Sequence, residues 1–78
     1  MLGFYYSHDG YWSGKGVVRS DMGSKTSMAC AKTCLQDCIA FTVRQRCYHY
    51  SKDSILINDN KMGEASYKTY VKCPGIDQ

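Results

Sequence analysis

The chain has 78 residues, a mass of 8.8 kDa and a formal charge of +3 at neutral pH. That length holds one domain, 1–78, which buries only about 63% of its unfolded surface, so a staple beyond the core is expected. At 44% hydrophobic and 22% charged, the composition excludes disorder; no apolar run nears the ~20 residues that cross a bilayer, and the scattered basic residues are not the dense stripe of a nucleic-acid binder.

The opening Met1-Leu2-Gly3-Phe4-Tyr5-Tyr6 lacks the basic start and apolar run of a secretory signal. Phe4-Tyr5-Tyr6 reads as a short aromatic strand, and Asp9-Gly10 as a turn. Residues 11–19 read as a glycine-softened strand or hairpin, and 20–25 as a loop. Thr26 or Ser27 can cap a helix over about 27–37, rich in good helix formers. Cys30 and Cys34 lie four apart on one face of it, which Ala31 and Leu35 extend.

After the helix the period changes to two. Ile39, Phe41 and Val43 alternate with Ala40, Thr42 and Arg44, and Cys47-Tyr48-His49-Tyr50 forms a second strand. Only Arg44-Gln45-Arg46 can turn between them, so the pair is a hairpin with both arginines near its tip. A polar loop at 51–54 leads to Ile55-Leu56-Ile57, a short strand or core plug. A turn-rich loop at 58–63 precedes a last strand, 66–72. The core spans about 3–73, with a tail at 74–78. This order predicts an α+β fold, an antiparallel sheet with a single helix packed on one face.

The five cysteines allow three readings. In the first they are a disulfide framework of the kind small secreted domains use; a Cys30 to Cys47 bridge, for instance, would close a loop of about 18 residues and contribute ~3 kcal/mol. In the second, Cys30, Cys34, Cys38 and Cys47, with His49, bind zinc. The run Cys-x3-Cys-x3-Cys lacks the paired knuckles of structural zinc sites, so no metal is expected. The third reading is a set of unpaired buried thiols.

The stretch from Cys30 through Cys34-Leu35 and Cys38 to Ala40-Phe41, followed by a cysteine, Cys47, that opens a strand, resembles the PAN/apple module. The resemblance covers about residues 3–73. It implies a curved antiparallel sheet of about five strands cradling one helix. It also implies bonds Cys30–Cys47 and Cys34–Cys38. Leu2, Gly3 and Phe4 stand where some members carry a sixth cysteine that bridges to the last one, so the resemblance leaves Cys73 unpaired within the domain. Members are extracellular recognition modules without catalysis, and the implied function is adhesion or ligand binding, within a larger secreted or cell-surface protein.

Two ligand surfaces follow. If Cys47 faces the helix, Tyr48 and Tyr50 lie on the opposite, open face, and Arg46 shares their parity. With Trp12, Tyr11 and Tyr5 they would offer stacking surface for a glycan. Arg44 and Arg46, with Lys68 and Lys72 on the last strand, would take the sulfates of a glycosaminoglycan. The same tyrosines and arginines suit an extracellular protein partner. An odd cysteine in a secreted chain points to a dimer through Cys73.

Catalysis is not expected. Ser7-His8-Asp9 is merely adjacent in sequence, whereas triads are assembled by geometry. His49, Ser51 and Asp53 alternate, but His49 is expected to face the helix. No phosphate loop or other cofactor motif is present. The alternative function is a small secreted inhibitor or toxin, although its candidate loop at 58–63 holds no cysteine to rigidify it.

Overall fold

Cys38–Val43 is almost wholly buried, and a strand covered on both faces belongs inside a sheet. In the structure, a computed structural model that describes residues 2–74, it occupies that central place. Strands β1 (Phe4–Trp12), β2 (Arg19–Ser24), β3 (Cys38–Val43), β4 (Arg46–Ser51) and β5 (Lys61–Lys72) form one antiparallel sheet in the order β1-β5-β3-β4-β2. A single helix, α1 (Ser27–Thr33), packs against β3 and β4. The fold is α+β, with an antiparallel sheet of five strands, one helix and two disulfides, Cys30–Cys47 and Cys34–Cys38.

The helix starts as its sequence dictates: the Ala29 amide donates to Thr26 Oγ1 at 3.2 Å. It ends earlier than the expected 27–37. Cys34 leaves the helical region at φ −82° and ψ 84°, and the Cys38 amide closes a turn onto the Leu35 carbonyl. The Cys34–Cys38 bond spans that turn, joining Cα atoms 5.0 Å apart. Leu35 therefore sits at the turn's tip, 67% exposed, instead of extending the apolar helix face.

Each face of the sheet has its own core. On the helix side, Cys30, Cys34, Cys38, Phe41, Val43 and Cys47 pack together with Phe4 and Tyr70. Phe41 lies between Phe4, edge-on at 5.1 Å, and Tyr70, stacked at 5.2 Å. On the other side Trp12, Ala40 and Tyr50 are buried under Val17 and Leu56. Two irregular segments make that cover. Ile55 N–H donates to the Gly16 carbonyl at 2.7 Å, and Ser51 N–H to the Val18 carbonyl at 2.9 Å. Leu56 is thus the plug, while Ile55 and Ile57 stay about half exposed.

Several expectations about elements change, among them the last strand, which starts at Lys61 inside the expected 58–63 loop and not at 66, because 61–63 pair with the end of β1. Asp9-Gly10 is not a turn but lies within β1, at a bulge where β5 loops out 64–67 between Gly63 and Lys68. Gly10 has φ +131°, and a Cβ there would stand 1.9 Å from the Met62 carbonyl oxygen, so the glycine permits a close strand approach. The segment 20–25, expected as a loop, is mostly β2, held by pairing with β4. Ile39 leaves the alternation because the ladder slips between Cys38 and Ala40. Beyond β5, Pro74 is the last residue described, and most of the expected tail lies outside the described residues.

Candidate functional site

The parity of β4 is as the hairpin reading requires. Cys47 and His49 face the helix: His49 Nε2 lies 3.1 Å from the Cys30 carbonyl oxygen and 3.2 Å from Thr33 Oγ1. His49 is 8% exposed, and burial pushes its pKa below the ordinary histidine value. Arg46, Tyr48 and Tyr50 accordingly project on the other side.

Tyr50, however, is not a stacking surface. It is fully buried, and Trp12 is 3% exposed; the cover formed by the loop after β1 and the segment before β5 closes over both. Their polar atoms form a chain. Trp12 N–H donates to the Tyr50 hydroxyl at 2.9 Å, which lies 2.7 Å from Thr42 Oγ1. Thr42 Oγ1 is 2.6 Å from Thr69 Oγ1, and Thr69 donates to the Gly10 carbonyl. Because Thr69 must donate to that carbonyl, each hydroxyl donates in one direction, from Tyr50 to Thr42 to Thr69. Trp12 Nε1 is also fixed, donating to the Ile57 carbonyl at 3.1 Å. Tyr50 and Trp12 thus belong to the core and not to a ligand surface.

The residues left on the open face form a stripe. Arg19 Cζ lies 5.1 Å from the Tyr48 ring centre and 5.8 Å from that of Tyr11. Tyr11 packs edge-on against Tyr67 at 5.3 Å, and Arg44 Cζ stands 5.5 Å over the Tyr67 ring. The order along the surface is Tyr48, Arg19, Tyr11, Tyr67, Arg44. These residues come from the start of β2, the end of β1, the middle of β4, the bulge in β5 and the β3–β4 turn. The three rings are half-buried and the two arginines exposed. Among the described residues neither arginine has a carboxylate partner.

The other basic candidates are placed differently. Arg46 Nε donates to both Asp21 carboxylate oxygens, at 3.0 and 3.1 Å. That pairing holds the Asp21 carboxyl below its usual pKa. Lys68 and Lys72 share the parity of Tyr70, whose ring lies on the helix side, so the expected cluster with Arg44 and Arg46 is divided between the two faces. Lys68 pairs with Asp9 at 2.7 Å, and Lys72 Nζ donates to the Leu35 carbonyl at 2.6 Å. Asp9 also accepts from the Tyr6 hydroxyl, and this bond, with burial and the carboxylate charge, pushes the Tyr6 pKa up to about 12. Tyr5 lies apart from the stripe, beside an open groove of about 760 Å³ bordered by Ile57 and Lys61.

Other chemistry is limited. Cys30, Cys47 and His49 bring three potential metal donors within 4.8 Å of one another, but the two sulfurs are bonded to each other, which removes both thiolates. Ser7 Oγ lies 2.8 Å from His8 Nδ1, while Asp9 turns away to Lys68 and Tyr6. Ser51 Oγ accepts from the Asp53 amide at 3.1 Å, and His49 is bonded to the helix. Neither serine–histidine set is a triad among the described residues. Cys73 carries a free, partly exposed thiol beside the 2–3 turn, its amide donating to the Gly3 carbonyl.

Sequence reasoning missed Arg19 and Tyr67. Tyr67 has the parity of Thr69 on β5, which was a readable signal once Thr69 was known to face away from the helix. Arg19 had none, because its position depends on β2 pairing with β4. No protein-family model matches the chain, and no curated protein or solved structure does either.

Proposed function

We propose that this chain is a PAN/apple-like extracellular recognition module without catalysis, which binds a glycan on the open sheet face. The observation that carries the reading is the Tyr48-Arg19-Tyr11-Tyr67-Arg44 stripe. Tyrosine rings present apolar faces to the C–H faces of sugars while their hydroxyls stay wet. A rigid sheet with two disulfides holds those rings in place, so little ordering is left to offset on binding. The helix-to-hairpin bond Cys30–Cys47 supports the PAN/apple likeness, and disulfide density in so short a chain supports an oxidising, extracellular setting.

The test is a glycan array that includes sulfated fragments, probed with the disulfide-intact protein at two salt concentrations. Binding that disappears in Tyr48→Ala and Tyr67→Ala is the expected result. Binding that both variants leave untouched would refute the site. A second reading, an extracellular protein ligand, is favoured by the same residue types, since tyrosine and arginine are enriched among interface anchors. A blank array with capture of a protein through the same five residues would select it.

A further inference from the structure

The groove beside Tyr5 has a chemistry of its own. We propose that it binds a small amphiphile, a free aliphatic carboxylate, with the hydrocarbon chain along Tyr5, Val71 and Ile57 and the carboxylate on Lys61. None of the five stripe residues lines it, so it is a separate site whether or not the stripe holds a glycan.

The groove holds about 760 Å³, a size suited to a small ligand. Tyr5 and Val71 are paired across β1 and β5; with Ile39 they supply the sheet surface, and Leu56 and Ile57 supply a wall from the segment before β5. Tyr5 is 50% exposed and Ile57 49%, so large apolar groups meet water along the same concavity. The wall is pinned by hydrogen bonds. The Ile57 carbonyl accepts from Trp12 Nε1 at 3.1 Å and from the Asn60 amide at 3.0 Å. Asn60 Nδ2 donates to the Ile55 carbonyl at 3.1 Å, and the Val18 amide donates to Ser54 Oγ at 2.8 Å. The groove is thus formed before any ligand arrives, which keeps the ordering cost of binding low.

Charge selects the occupant. Lys61 is the one charged residue lining the groove. It is exposed and, among the described residues, forms no ion pair. Asp9 is held by Lys68 and Tyr6, and Asp59 does not line the groove. Lys15, also exposed and without a carboxylate partner among the described residues, belongs to the loop after β1 and does not line it either. A single ammonium acts as a point charge and balances one negative charge. A cation would be repelled, and a polyanion would leave charge unmatched. The aliphatic surface favours a hydrocarbon chain over a polyhydroxylated ring.

The test titrates decanoate, octanoate and decyltrimethylammonium, each below its micellar concentration, into the full, disulfide-intact chain. Trp12, the sole tryptophan, borders the groove and reports by fluorescence; amide shifts of Tyr5, Ile57 and Lys61 give a second readout. Decanoate is expected to bind saturably, octanoate several-fold more weakly because two methylenes are lost, and decyltrimethylammonium roughly tenfold more weakly. Lys61→Gln is expected to weaken decanoate about two- to fivefold and to narrow its advantage over the cation. Ile57→Ser is expected to weaken it several-fold; both positions are exposed, so the fold tolerates the changes. Lys32→Gln, on the helix, removes the same charge away from the groove and is expected to change affinity by less than about twofold. No saturable response to decanoate in either readout would overturn the proposal. So would equal affinity for decanoate and decyltrimethylammonium, a Lys61→Gln effect no larger than that of Lys32→Gln, or shifts centred on the stripe or the helix side.

Discussion

Removing one oxygen atom from the core should cost this domain a large share of its stability. Tyr50→Phe keeps a ring that is fully buried and packed edge-on against Trp12 at 5.6 Å, so it opens no sizeable cavity. What it removes is the acceptor of the Trp12 amide, at 2.9 Å, and the donor to Thr42, at 2.7 Å. Thr42 still donates to Thr69 and loses only one lone-pair contact. The Trp12 N–H, on a residue 3% exposed, is left without a partner. Leaving a buried donor unpaired costs about 1–3 kcal/mol. Taking ~2 kcal/mol, the melting temperature of a domain this size falls by roughly 8–16 °C. Thermal unfolding followed by near-ultraviolet circular dichroism, with disulfides intact, measures it. Thr42→Val and the double variant complete a cycle, and the two effects should be non-additive because both act on one chain of bonds. A loss below about 0.5 kcal/mol for Tyr50→Phe, or strict additivity, would refute the one-directional chain.

Other consequences are separable. Replacing Cys30 and Cys47 with serine should destabilise by ~3 kcal/mol against ~2 kcal/mol for Cys34 and Cys38, since the bonds close separations of 17 and 4 residues; urea midpoints of the two double variants rank them. Gly10→Ala should cost ~3 kcal/mol or prevent folding, as its Cβ would meet the Met62 carbonyl and φ is +131°; a urea midpoint near that of the parent would contradict this. Burial lowers the pKa of both His49 and His8. Their neutral forms are favoured in the folded state, so the stability they contribute is present above about pH 6.5 and lost as pH falls from there towards the folded pKa values. Stability measured against pH should decline in that direction, with a shallower slope in His49→Gln.

The hairpin was legible because period-two alternation and a short polar turn leave few alternatives at 39–50. The facing of Cys47 and His49 followed from parity alone. What parity does not tell is how far each face is covered. Tyr48 and Tyr50 share a side of β4, yet Tyr50 is sealed by segments 13–18 and 54–57, and that closure depends on contacts nearly forty residues apart in sequence, such as Trp12 to Tyr50. β2 was illegible for a related reason: Arg-Ser-Asp-Met-Gly-Ser has little strand propensity, and its pairing with β4 makes it a strand. The glycine of Asp9-Gly10 did signal an unusual backbone; the demand came from the close strand approach opposite the β5 bulge and not from a turn. In the candidate site, Tyr48, Tyr11 and Arg44 could be named from sequence, whereas Arg19 and Tyr67 reach it only through strand order and the β5 bulge. Lys68 and Lys72 were misplaced because the sequence does not say which side of the last strand meets the helix.

Ligand is proposed to bind on the open face and not on the helix face. Chemical-shift mapping on isotope-labelled, disulfide-intact protein during titration with a glycan selected on the array tests it most directly. Saturable shifts centred on Tyr48, Arg19, Tyr11, Tyr67 and Arg44 are expected, with Leu35, His49 and Lys72 unmoved. Shifts centred instead on the helix side, in the open groove of about 600 Å³ lined by Met22, Leu35 and His49, would contradict it.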